Sequence, residues 1–197
     1  MRNLSGFESG KWLPIYLKLE EARFFFDNLR SHKRFPKLVL FYLSSFLSAA
    51  RSITFHVQKQ IIPNIANGKQ LYEDSVQKYL SGEVAKFFIN MRNISEKEMY
   101  LPLKFKLIEK HPSEKPGQYI FVERASSVMS APSRHSFGWL EDAINTEFTS
   151  YTQPRWMIMD YPGGDKDLFE ACEEYLNVIQ NFVEEFRRSV DDVKEFS

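Results

Sequence analysis

An α+β fold, mainly α, is what this sequence predicts: a four-helix bundle with a small antiparallel β insertion between helices 3 and 4. Three observations predict it. Apolar residues recur at helical spacing through four long segments. The period changes from 3.6 to 2 only within about residues 100–161. The length, 197 residues with 43% hydrophobic and 26% charged content, suits one domain with one core. The chain 1–197 is therefore read as a single domain, its helical core at about 12–98 and 165–190.

The first helix starts near Pro14, a residue suited to a first turn, and Ile15, Leu19, Ala22, Phe26 and Leu29 form its apolar stripe. A basic link follows, with Arg30, His32, Lys33, Arg34 and Lys37. The second helix runs from Pro36 to about Ile62, where Pro63 and Asn67-Gly68 stop it. It is apolar on most sides (Val39, Leu43, Phe46, Ala50, Ile53, Val57) and is expected at the centre. One narrow polar face carries Ser45, Ser48, Ser52, His56 and Lys59. The third helix is expected over Lys69–Lys97, on the stripe Val76, Leu80, Val84, Phe87, Met91 and Ile94, with Gly82 weakening it locally.

Leu103, Phe105 and Leu107 then alternate with Lys104 and Lys106, a strand with one wet face. His111–Gly117 reads as a turn and Tyr119–Glu123 as the returning strand. Residues 124–136 are small and polar and read as a loop, and Phe137–Tyr151 fits helix or strand. Trp156–Tyr161 reads as a third strand, ended by Pro162-Gly163-Gly164. In the last helix Asp165 is the expected cap, and Leu168, Cys172, Tyr175, Ile179, Phe182, Phe186 and Val190 make the stripe.

Several function classes lose support at once. Eight glycines are few, and neither GxGxxG nor GxxxxGK[ST] occurs, so no glycine-loop nucleotide site is expected. The single Cys172 falls on an apolar helix face and reads as an inert core thiol. His32, His56, His111 and His135 form no HxxxH or HExxH spacing, so no metal and no cofactor is expected. Ser126, Ser127, Ser130 and Ser133 lack a nucleophile-elbow context. Asp165 and Asp167 beside the paired glycines read as helix-capping residues. The longest uncharged run, Leu38–Ala50, is thirteen residues, too short to span a bilayer. Arg2–Lys11 is polar, so the expectation is a cytoplasmic protein with no membrane partner.

Zero net charge conceals an asymmetry. Residues 1–70 hold eleven Lys/Arg against four Asp/Glu, whereas residues 160–197 hold four against eleven. Oppositely charged helices packed together would produce it, and so would a basic end facing an anionic partner.

Three segments resemble HEPN-type domains, small four-helix bundles of microbial defence, toxin–antitoxin and RNA-processing systems. They are Phe46-Leu47-Ser48-Ala49-Ala50-Arg51-Ser52, Phe87-Phe88-Ile89-Asn90-Met91-Arg92-Asn93 and Tyr161-Pro162-Gly163 before the last helix. In active members an Arg and a following polar residue precede a His four to six positions on. The Arg steadies phosphate charge while the His moves the proton of the attacking 2′-hydroxyl. Arg92-Asn93 fills the first two positions here, but Ile94–Met99 contains no histidine. The resemblance therefore implies a degenerate, non-catalytic member. Arg51 and His56 stand in an Arg-x4-His spacing, but on the second helix rather than the third.

The candidate polar or anion-binding residues are Arg51, Ser52, His56, Arg92, Asn93 and Glu96. Arg92-Asn93 at a helix end suits either an anion or a structural tie to Glu96. Arg51, mid-helix among apolar residues, suits a core ion pair or a polar cleft with Ser48, Ser52 and His56. The expected function is an RNA- or protein-binding module in a microbial, defence-like or stress-related system. Two alternatives stand beside it: a metal-independent ribonuclease whose general base is displaced, His56 being the candidate, and a protein-interaction module without nucleic acid. Related bundles pair, so a bacterial homodimer is the assembly the resemblance implies.

Overall fold

The structure is a computed structural model that describes residues 10–65, 67–98, 101, 103–112, 119–129 and 152–195. It is mainly helical with a small antiparallel sheet. The elements are α1 (Leu13–Ser31), α2 (Pro36–His56), α3 (Gly68–Ser75), α4 (Glu83–Glu98), β1 (Leu103–Pro112), β2 (Tyr119–Met129), β3 (Thr152–Ile158), β4 (Lys166–Asp167) and α5 (Leu168–Glu195).

Helix α1 buries the five residues its periodicity predicts, Ile15, Leu19, Ala22, Phe26 and Leu29, with Pro14 in its first turn. Helix α2 buries Val39, Leu43, Phe46, Leu47, Ala49, Ala50 and Ile53. It continues through a π turn (Val57–Ile61) and a 3₁₀ turn (Ile62–Asn64). That continuous helix, Pro36–Asn64, is long and apolar enough to cross a membrane by length and composition, with a mean hydropathy of 1.5 in its most apolar stretch. Here its inner face is core. Gly68 follows because the chain returns tightly: a Cβ there would lie 2.6 Å from the carbonyl oxygen of Ile62.

The expected third helix is two helices. A π turn at Val76–Leu80 takes up one extra residue, and the path breaks at Ser81-Gly82. The amide of Lys86 bonds to the Gly82 carbonyl at 3.1 Å, which starts α4. The expected stripe holds at Leu80 and Met91, but Ala85 and Phe88 are buried where Val84 and Phe87 were expected. Val76, Val84, Phe87 and Ile94 are half-buried, because the π turn and the break shift the helical register by one residue.

The sheet order is β2-β1-β3-β4, all pairs antiparallel. Leu103 and Phe105 are buried while Lys104 and Lys106 are half-exposed, as the alternation predicts. Phe105 pairs with Trp156, their rings 4.7 Å apart. Three expectations change. His111 and Pro112, read as the start of a turn, end β1, because they pair with Ile120 and Tyr119 across the hairpin. Arg124–Met129, read as loop, continue β2, because Ala125–Met129 pair with Leu103–Leu107 and ladder hydrogen bonds outweigh weak propensity. The third strand lies at Thr152–Ile158, ahead of Trp156–Tyr161, and the chain turns at Met159-Asp160. The rest of the expected turn at 113–117, the rest of the loop at 130–136, and Phe137–Tyr151 lie outside the described residues.

Gly163 (φ 92°) and Gly164 (φ 111°) then turn the chain into α5. The cap of α5 is Asp167, not Asp165: its Oδ1 accepts from the amides of Phe169 at 2.9 Å and Glu170 at 3.3 Å. The core joins the helices to one another through aromatic contacts. Phe88 stacks on Tyr175 at 4.4 Å with an interplanar angle of 1°, and Trp12 packs on Phe186 at 6.1 Å.

Candidate functional site

The predicted polar residues fall in three places. Arg51 is exposed, and its Nη1 donates to Thr54 Oγ1 at 2.7 Å. It therefore joins neither a core ion pair nor a cleft with the serines. Ser52 donates to the Ser48 carbonyl at 2.8 Å, and His56 Nδ1 lies 2.8 Å from the Ser52 carbonyl. These are local bonds along one helix.

Arg92, Asn93 and Glu96 form a group within α4. Arg92 Nη2 lies 2.6 Å from Glu96 Oε1, and Nη1 donates to Asn93 Oδ1 at 3.3 Å. Its Nε is buried and has no hydrogen-bond partner among the described residues. Both named partners stand on the same helix, so the guanidinium charge is answered locally.

Cys172 is fully buried, and burial pushes its thiol well above the ordinary value, which disfavours the thiolate a nucleophile needs. Among the described residues no three His, Cys, Asp or Glu side chains converge on one point.

A cleft of about 550 Å³ lies between the first turn of α4 and the loop before α5. At its wall the Tyr161 hydroxyl donates to Glu174 Oε2 at 2.6 Å, and Lys166 Nζ bonds the same oxygen. The Lys166 ammonium also stands 5.0 Å above the Tyr161 ring. The Lys166 and Tyr161 hydrogen bonds hold the Glu174 carboxyl below its usual value, while burial and then Glu174 raise the Tyr161 hydroxyl. Phenol, carboxylate and ammonium satisfy one another, so the cluster fastens the β3–β4 connection to α5.

The surface left unanswered is the outer face of α1 and α2. Among the described residues the exposed large hydrophobics are Leu13, Leu17, Phe24, Phe35, Phe41 and Phe55, and all six belong to this hairpin and its turn. On α1, Leu13, Leu17 and Phe24 share a face by their spacing of four and seven. On α2, Phe41, Ser48, Ser52 and Phe55 share another. A groove of about 320 Å³ runs between the helices, lined by Lys18, Glu21 and Phe25 from α1 and by Ser44, Ser45, Ser48, Ala49 and Ser52 from α2.

The electrostatics are one-sided. From Asn28 to Tyr72 the chain has no Asp or Glu. Lys37 stands 5.6 Å over Phe41, and Lys59 stands 5.8 Å over Phe55. Neither lysine, nor Arg30, Lys33, Arg34 or Arg51, makes a salt bridge to a described residue. On α1 Glu21 is answered by Lys18 and Glu20 by Arg23, while the exposed Asp27 makes no salt bridge to a described residue.

Sequence reasoning found the serines of this face and the basic link but not the phenylalanines, which merge into the apolar content of α2. The usable signal was the acid-free run, joined to Phe41 and Phe55 standing in register with the serines. The chain matches no protein-family model, and neither curated proteins nor solved structures give a match.

Proposed function

We propose that this chain is a non-catalytic, HEPN-like binding module that acts through the outer face of the α1–α2 hairpin, and that its partner is a protein. The observation that carries the reading is the confinement of all six exposed large hydrophobics among the described residues to that hairpin. Scattered exposed apolar residues need no explanation, but a grouped set beside a groove marks an interaction surface. Phenylalanine anchors on the same face of α2 as a recess walled there by small residues have the anatomy of a binding hot spot. The HEPN-like part rests on the three segments quoted above. The non-catalytic part rests on Arg92 being paired along its own helix, with no histidine in Ile94–Met99.

RNA is the second reading. The two lysine-capped phenylalanines on an acid-free helix favour it, because stacking rings beside cations suit single strands. In either case the setting we propose is a cytoplasmic, defence- or stress-related microbial system, on the resemblance alone.

The test places a photo-crosslinking side chain at Ser48 in one protein and at Asp192, on the acidic helix, in another. The expected result is a discrete cross-linked protein band from position 48 only, unchanged by ribonuclease and lost in Phe41→Ser/Phe55→Ser. A parallel gel with cellular RNA in EDTA addresses the other classes. A shift with a ribonuclease-sensitive adduct supports RNA instead, and cleavage lost in Arg92→Ala makes the chain a ribonuclease with a displaced base.

A further inference from the structure

We infer that the segment recognised by this face is an acidic amphipathic helix, laid along the α1–α2 groove with its most acidic end at the Lys33–Lys37 turn. This rests on the protein-binding reading and adds the chemistry and polarity of the partner.

Shape comes first. Phe41 and Phe55 stand fourteen residues apart on α2, about 21 Å at 1.5 Å per residue. A second helix spans that distance in about four turns, so its apolar stripe can meet both rings. Between the rings the α2 wall presents only Ser44, Ser45, Ser48, Ala49 and Ser52, and such small side chains let another backbone approach closely. On the α1 wall Phe25 supplies the apolar surface, and the exposed Phe24 ring contacts it with centroids 5.6 Å apart.

Charge then selects the occupant. Lys37 and Lys59 on α2 and its continuation lack an acidic partner among the described residues, and so do Arg30, Lys33 and Arg34 at the turn. A second copy of the same face would set these cations against each other. A helix with carboxylates flanking its apolar stripe would neutralise them.

Polarity follows from the turn. Four of the cations, Arg30, Lys33, Arg34 and Lys37, gather at one end of the groove. The N-terminus of α2 begins there with Phe35 as its cap residue, no side-chain capping bond and no acid in the first turn. A helix N-terminus carries partial positive charge, which adds to the cations at that end.

The probe is a display library of random helix-length peptides, selected against the full chain. The expected winners have net negative charge, apolar residues at i, i+3, i+4 and i+7, and acids concentrated at one end. They should bind about tenfold more weakly to Phe41→Ser/Phe55→Ser and to Lys37→Glu/Lys59→Glu, with unchanged circular dichroism. A spin label at the acidic end of a winning peptide should broaden resonances of Phe35 rather than Phe55. Winners that are neutral or basic, that bind the charge variant equally, or that lie the opposite way overturn the inference and leave the protein reading standing. No enrichment, with oligo(U) or phosphatidylserine vesicles bound through Phe41 and Phe55 instead, overturns both.

Discussion

The indole N–H of Trp156 donates to the backbone carbonyl of Lys33 at 2.8 Å. The residues belong to the β insertion and to the turn between α1 and α2, 123 positions apart in sequence. The sheet therefore helps to hold the cationic end of the proposed binding face in place.

Trp156→Phe keeps an aromatic ring against Phe105 and removes that donor. The expected loss is about 1–2 kcal/mol in urea denaturation, from one hydrogen bond and some lost packing. The amide of Phe35, bonded to the His32 carbonyl at 2.9 Å, should also exchange faster. Unchanged exchange at Phe35 would show that the sheet does not restrain the turn.

The Glu174 latch has a defined pH dependence. Its carboxyl sits below the ordinary value because Lys166 and then Tyr161 hydrogen-bond its charged form. The unfolded chain thus takes up this proton at higher pH than the folded one. The stabilisation is present above the unfolded value of about 4.3 and is lost as pH falls through the folded value. Glu174→Gln should be less stable than the native protein near neutrality, with the gap closing in acid. A gap that stays constant down to acid pH would contradict the assignment.

Phe88 is fully buried and stacked on Tyr175, which burial pushes up to about 12. Phe88→Ala should cost about 3–5 kcal/mol by opening a cavity between α4 and α5. That is a large part of a domain's stability, so a lowered denaturation midpoint with reduced expression is expected. Phe88→Leu should recover much of the loss.

The surface phenylalanines should behave in the opposite way. Phe41 and Phe55 are 56% and 55% exposed, so replacing both with Ser should leave the stability of the chain within about 0.5 kcal/mol per site. A binding defect without a shift in thermal midpoint is the signature of an interface. A marked destabilisation would make them packing residues.

Gly68→Ala tests the tight return after α2. Its new Cβ would meet the Ile62 carbonyl oxygen at 2.6 Å, a backbone atom that moves only with its turn. A loss of about 1–3 kcal/mol is expected by thermal unfolding. No loss would mean that the turn between α2 and α3 is free to shift.

Much of the fold was legible because helical burial repeats along a single element. The stripes of α1 and α5 were readable in this way, as was the Leu103–Phe105 alternation. The break at Ser81-Gly82 was hidden because Val84 and Phe87 continue the helical spacing from Leu80, while the shifted register buries Ala85 and Phe88 instead. The extent of β2 was hidden because Ala125–Met129 owe their conformation to β1, far away in sequence. Asp165 and Asp167 are equally good caps by residue type, and only the direction of the chain leaving Gly164 puts Asp167 against the open amides.

The candidate site divides along the same line. By itself, the sequence determined the serine face of α2, the basic turn and the opposite charge of the two ends, since composition and spacing are local properties. Only the tertiary structure decided that Arg51 stays outside the groove and that Arg92 is answered within its own helix. It also decided that Phe41 and Phe55 face outward while Phe46 is core. Those outcomes depend on which side of α2 is covered by α1, α4 and α5. A helix that is apolar nearly all round can bury only the faces its neighbours reach.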